Sequence, residues 1–290
     1  MPYSLRMKPL SGTPSCGNIS MCGQRCHPRH LLNMAMLPPP LGFVEQTYHQ
    51  ETWWLKAGYE SLVPAAIQQL AEARQHSPRD KDSAPTITPL PWGRGSVWRV
   101  RTDTHETLIV RAYRRGGFVR HFLTDLYWDR PPRPLAEVVA TETARQRGVP
   151  TIEVLGACVR WVNSGLYRGR FISREAEGFH NVWEWLQMRP TGPTRIETLT
   201  VVARAIATMH EAGIVHADLN LTNILVQSSS PSPQVLLLDF DRAQVLSAPV
   251  PRRQRERTLR RLQRSFRKLN RDRALDSTDD LALLWTEPSP

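Results

Sequence analysis

Two short stretches concentrate oxygen-bearing side chains at regular intervals. In the run His216 to Asn223, HADLNLTN, the carboxylate of Asp218 precedes the amide of Asn223 by five positions, and Asp239 closes the apolar run LLLD at 236 to 239. Carboxylate and amide oxygens are the ligands that hard divalent cations take, and a further carboxylate can accept a hydrogen bond from an alcohol. Taken singly, each of these residues is an ordinary turn or capping residue. Two features upstream could complement them. Gly93 and Gly95, followed by Ser96, leave backbone N–H groups open to an anion, although a GxG before a strand is more often only a turn. Arg111 ends the strand-like run LIVR in a chain with no lysine between residues 82 and 267.

The elements needed to carry these residues are legible as periodicities. A helix is expected from Leu62 to Arg74, followed by a polar, proline-rich linker and then a β-hairpin formed by 96–102 and 107–113. A second helix spans 134–146, stopped by Gly148 and Pro150, and strands follow around VLGACVRWV and LYRGRFISRE. After Gly178 a long amphipathic helix carries Ile196, Leu199, Val202, Ala203, Ile206 and Met209, with Gly213 just past its end. The strands NILVQ and QVLLLDF then place Asn223 and Asp239 at facing strand ends. A strand-rich half followed by a helix-rich half is a two-lobed α+β layout.

Composition limits the partners. The 290 residues carry a formal charge of +11, and 34 of the 38 basic residues are arginine, which suits phosphate, an anionic membrane surface or nucleic acid. No apolar run approaches the roughly 20 residues of a membrane span, and the N-terminus lacks the apolar core of a secretory signal, so a cytoplasmic chain is expected. Residues 1–40 read as a flexible extension, with a start near Met34 or Met36 as the alternative. Cys22, Cys26, His27 and His30 within it match no common zinc spacing.

HADLNLTN and LLLDFD together resemble the catalytic loop and metal-binding segment of the protein-kinase-like fold, whose pattern H-R-D-x-x-x-x-N has the interval seen from His216 through Asp218 to Asn223. The resemblance implies an α+β, two-lobed protein-kinase-like fold, with a β-rich N-lobe at about 41–175 and a helical C-lobe at about 176–290. It implies that Asp218 orients the attacking hydroxyl while Asn223 and Asp239 hold Mg²⁺ against ATP. Gly93, Gly95 and Ser96 would then cover the phosphates, although the third glycine of the kinase loop is absent. Arg111 would take the place of the usual lysine, with Glu137 as its helical partner and Glu142 as the alternative. Ala217 replaces the catalytic-loop arginine and Asp241 the DFG glycine. No APE motif follows, and the 49 residues after Asp241 are too few for a peptide-binding activation segment, so a small or lipid-linked acceptor is expected.

The stretches GRGSVW, VRAYRRGGFVR, PLAEVVATE, RGVPT, HEAGIVHADLNLTNILVQ, LLLDFDRA and RTLRRLQRSFRKLNR resemble one family, the 3-deoxy-D-manno-octulosonic acid (Kdo) kinases of lipopolysaccharide synthesis. That family is similar in having arginine at the position of Arg111. What the resemblance implies is transfer of the ATP γ-phosphate to the 4-hydroxyl of Kdo on lipid A precursor, at the cytoplasmic face of the inner membrane. Heptose kinases or other small-molecule kinases of the same fold are the nearest alternative; a non-catalytic scaffold or a nucleic-acid-binding protein is the alternative from another class, and no nucleic-acid motif is present. Arg114, Arg115 and Arg120 are expected near phosphate or the acidic headgroup. Residues 252–273 form a basic amphipathic helix on Leu259, Leu262, Phe266 and Leu269, read either as a contact to an anionic membrane or as a packed C-terminal helix. Trp53, Trp54, Trp183 and Trp185 are core or interfacial.

Overall fold

The N-terminal half is built on a run of β-formers buried on both sides. In the computed structural model, which describes residues 37–48, 50–75, 87–90, 97–113, 125–163, 165–228, 232–271 and 279–286, β1 (Phe43–Tyr48) and β2 (Glu51–Lys56) form an antiparallel hairpin. No strand is expected from the sequence ahead of the helix at 62–74, so this hairpin is new. Thr52, Trp53, Trp54 and Leu55 are all buried, because β2 is not an edge strand and successive side chains enter the cores on opposite faces of the sheet. A strand buried on both faces shows no alternation, which hides it from pattern reading.

Five more strands complete this sheet: β3 (Ile87–Pro89), β4 (Val97–Arg101), β5 (Thr107–Ala112), β6 (Val154–Trp161) and β7 (Tyr167–Arg174). They pair antiparallel throughout in the order β1-β2-β6-β7-β5-β4-β3. Helix α1 (Leu62–Gln75) lays Val63, Ala66, Ile67 and Leu70 against one face, beside Trp53, Leu108, Val110 and Ile172. Helix α2 (Arg133–Gln146) packs Leu135 and Val138 on the other, against Trp54, Tyr113, Ala157, Tyr167 and Phe171. Arg111 and Tyr113, two residues apart, therefore share the face of the sheet that α2 covers.

The second half is helical around an inserted hairpin. Two-residue β8 (His180–Asn181) leads into α3 (Val182–Gln187), whose first turn is capped by the Asn181 side chain accepting from the Glu184 N–H at 3.0 Å. Helix α4 (Gly192–Glu211) buries Leu199, Val202, Ile206 and Met209. It ends before Gly213, at φ +74°, where a Cβ would lie 2.6 Å from the Ala248 carbonyl oxygen, so only glycine fits the turn. The chain continues through β9 (Ile214–Val215), a 3-10 turn (Leu221–Asn223), β10 (Ile224–Gln227), β11 (Gln234–Leu237), β12 (Gln244–Val245), α5 (Arg252–Leu269) and a 3-10 segment (Asp279–Trp285).

Helix α5 is a packed helix. Thr258, Leu262 and Phe266 are buried in the core formed with α4, Leu281 and Leu284, and Phe266 meets Trp183 edge to ring and Trp285 at a 45° tilt. Trp53, Trp54 and Trp185 are core residues, and Trp183 packs against the same core partly buried. The two halves join where Pro150 and Thr151, just after α2, meet β11: the Leu237 N–H donates to the Pro150 carbonyl at 2.8 Å and the Thr151 hydroxyl donates to the Leu237 carbonyl at 2.7 Å. All of this lies in one unit, Ala35–Pro290. The extension up to residue 36, with Cys22, Cys26, His27 and His30, lies outside the described residues.

Candidate active site

The hairpin of β10 and β11 brings the two motifs together. Ile224 pairs with Leu237, so Asn223, just before β10, and Asp239, just after β11, leave the same end of the hairpin, and the Leu238 N–H donates to the Asn223 carbonyl at 2.9 Å. Asn220 caps the intervening 3-10 turn through the Thr222 N–H at 2.9 Å. The side-chain amides of Asn220 and Asn223 both donate to the Asp218 carbonyl, at 3.1 and 3.0 Å. The Asp218 backbone is thus fixed from two sides. Its carboxylate is exposed and accepts no hydrogen bond from the described residues, and neither does the Asn223 side-chain oxygen.

His216 ties this loop to the strand that delivers Asp239. Its Nδ1 accepts from the Asp218 N–H at 3.1 Å, which leaves Nε2–H to donate to the Leu238 carbonyl at 2.8 Å. Burial lowers the imidazole's pKa, so the neutral tautomer that makes both bonds is the favoured one. Phe240 lies 5.2 Å from the His216 ring and is itself buried. Asp239 adopts φ +61°, a left-handed conformation that few residues other than glycine take up.

Arg111 reaches across from β5. Its Nη1 donates to Asp239 at 2.8 Å, and its Nη2 donates to both oxygens of Glu137, which α2 buries almost completely. The Tyr113 hydroxyl donates to Glu137 as well, and the Arg111 guanidinium stands 5.0 Å from the Tyr113 ring and 5.4 Å from that of Phe171. Burial pushes the Glu137 carboxyl up to about 7, against the pull of Arg111 and the Tyr113 hydroxyl. Burial also works against the Arg111 charge, but Glu137, Tyr113 and Asp239 more than restore it. Breaking a buried pair of this kind by removing one partner costs about 3–5 kcal/mol.

Glu142, the alternative partner, bonds instead to Arg145 on its own helix at 2.9 Å. Gly93, Gly95 and Ser96 lie outside the described residues, as do Arg114, Arg115 and Arg120. Three participants carried no strong sequence signal. Tyr113 sits two positions after Arg111 on one strand, which alternation could have flagged. Arg133 pairs with Asp241, and Arg261 of α5 donates to the carbonyls of His216, at 3.3 Å, and of Ala217. Both come from distant elements, and no local pattern announces either.

The residues present suit a divalent cation: a carboxylate with one oxygen outside its bond to Arg111 and an uncommitted amide oxygen stand at one hairpin end beside a guanidinium. A sheet lobe and a helical lobe, with this constellation where they meet, make up the class of two-lobed, protein-kinase-like phosphotransferases. A solved structure of WaaP in complex with acyl carrier protein shares the fold, with a TM-score of 0.50 and 18% identity over 80% of this chain and 86% of that one. Residues 89–285 match the Lipopolysaccharide kinase (Kdo/WaaP) family, and the chain belongs to it. Among similar proteins, the 3-deoxy-D-manno-octulosonic acid kinase of Xylella fastidiosa (strain M12) is 33% identical over 189 residues, 64% of this chain and 71% of that protein. The enzyme of the same description from Xanthomonas campestris pv. campestris (strain B100) is 34% identical over 191 residues, 64% and 72% of the two chains.

Proposed function

We propose that this chain transfers the γ-phosphate of ATP to the 4-hydroxyl of Kdo on lipid A precursor. One observation carries the reading: the one-third identity to Kdo kinases extends over 189 residues, a stretch long enough to take in both lobes. Asp218, with its backbone held and its carboxylate free, accepts the hydrogen bond of the sugar hydroxyl and aligns its oxygen for attack. Asn223 and Asp239 would hold Mg²⁺, which would supply charge neutralisation at the phosphates. Arg111, positioned by Glu137, binds phosphate oxygens.

The acceptor is bound to a membrane, and α5 supports a peripheral contact with its cytoplasmic face. Arg253, Arg257, Arg260, Arg264 and Arg267 are exposed and recur at intervals of four and three, one stripe along a helix whose opposite side is buried. Among the described residues no helix is long and apolar enough to cross a membrane. Incubation of the protein with MgATP and, side by side, Kdo-bearing lipid A precursor, heptosylated lipid and free sugars tests the reading. Phosphate is expected on Kdo-bearing lipid; transfer to heptosylated lipid alone, or to free sugars alone, would replace Kdo as the acceptor.

A further inference from the structure

Asp241, two residues past Asp239, stands where protein kinases have glycine, and its carboxylate is engaged. Arg133, the first residue of α2, donates through Nε to one Asp241 oxygen at 3.1 Å and through Nη2 to the other. This two-point contact fixes orientation as well as distance. The side chains are only 20% and 16% exposed, so water screens the pair weakly. The guanidinium lies 5.5 Å from the Tyr113 ring and 5.2 Å from that of Tyr127, and the Arg133 backbone N–H donates to the Tyr167 hydroxyl at 2.9 Å. Tyr113 is also the residue that bonds Glu137 and lies against Arg111. Two arginines thus flank one tyrosine, and each reaches one carboxylate of the segment 239–241. That segment needs holding, because Asp239 at its start and Arg242 just past its end have φ of +61° and +60°. Non-glycine residues keep such conformations only where their surroundings over-determine them.

We infer that Arg133 and Asp241 are positioning residues: their ion pair ties the metal-binding segment to α2 and keeps Asp239 in its left-handed conformation. An aspartate at this position replaces the freedom of a glycine with an anchor. The metal-binding part of the inference rests on the function proposed above; the anchoring part does not. The test uses the full chain with Asp241→Asn, Arg133→Gln and the double variant. Hydrogen–deuterium exchange of residues 238–243 is followed without nucleotide, and Mn²⁺ binding in the presence of ATP is followed by electron paramagnetic resonance. Each single variant is expected to speed exchange across the segment and to weaken Mn²⁺ by about tenfold. The double variant is expected to lose no more than either single one. Unchanged exchange in both single variants would overturn the anchor, and additive losses would overturn the pairing. A lowered melting temperature with Mn²⁺ affinity intact would leave a merely structural bridge and overturn the positioning role. Neither readout needs an acceptor, so wild-type protein that transfers phosphate to no sugar would refute the proposed function and leave this test standing.

Discussion

Asp218 differs from the other acids of the site in having a fixed backbone and a carboxylate that no described residue engages. Asp239 is bonded to Arg111, Glu137 to Arg111 and Tyr113, and Asp241 to Arg133. An exposed acid without a partner among the described residues, on a loop whose carbonyl accepts two side-chain amides, is available to an incoming hydroxyl. Asp218→Asn is therefore expected to lower kcat by about 10²- to 10⁴-fold while ATP affinity, measured by equilibrium dialysis, stays near wild type. His216 makes a separate prediction about pH. Its folded pKa lies below the ordinary 6.5, so the stability it contributes is full above that value and is lost as the pH falls and Nδ1 must take a proton. Burial of Glu137, whose raised pKa works in the opposite direction on acidification, is common to both proteins, so the His216 contribution is read as a difference: the gap in urea midpoint between wild type and His216→Gln, which cannot protonate, should shift in favour of the variant as the pH falls below 6.5.

Among the elements, α5 carries two separable features. Its inner side buries Leu262 and Phe266, and Arg261 bonds the carbonyls of the loop that bears Asp218. Leu262→Ala should cost about 2–5 kcal/mol in urea unfolding, the range for emptying a well-packed leucine site. Substituting the exposed Arg257 by Ser should move stability by less than about 0.5 kcal/mol. The helix at 62–74, the hairpin around 103–106, the helix at 134–146 and the strands flanking the two motifs are all legible as periodicities, and the structure places each within one to three residues. The β1–β2 hairpin is not: β1 is a mostly exposed edge strand of mixed polar and apolar residues, and β2, covered on both faces, gives an unbroken apolar run with no period of two to read.

On the scale of the whole molecule, the arginine excess divides into two populations. Among the described residues, Arg111, Arg133, Arg174 and Arg195 pair with carboxylates inside or between elements, whereas the stripe on α5 faces solvent, with Arg260 alone of the five paired, to Glu256 on its own helix. If the stripe meets a membrane, the full chain should sediment with vesicles containing anionic lipid and be released by salt. Replacing Arg253, Arg257, Arg264 and Arg267 by serine should weaken binding by ~1 kcal/mol per residue without altering thermal stability. Vesicle binding unchanged by those substitutions would assign the contact to another surface.

The linear order of residues by itself determined the class of fold and the positions of Asp218, Asn223 and Asp239 on loops at strand ends. These are local properties: a spacing of five, an apolar run of strand length and a helical period all lie within a few residues of one another. Only the tertiary structure decided that Glu137 and not Glu142 meets Arg111, that Asp241 is held by Arg133, and that Arg261 supports the loop beneath Asp218. Those contacts join residues 26 to 108 positions apart. Which partner is chosen depends on how α2 and α5 rotate as they bury their apolar sides, and that rotation is a result of packing the whole core.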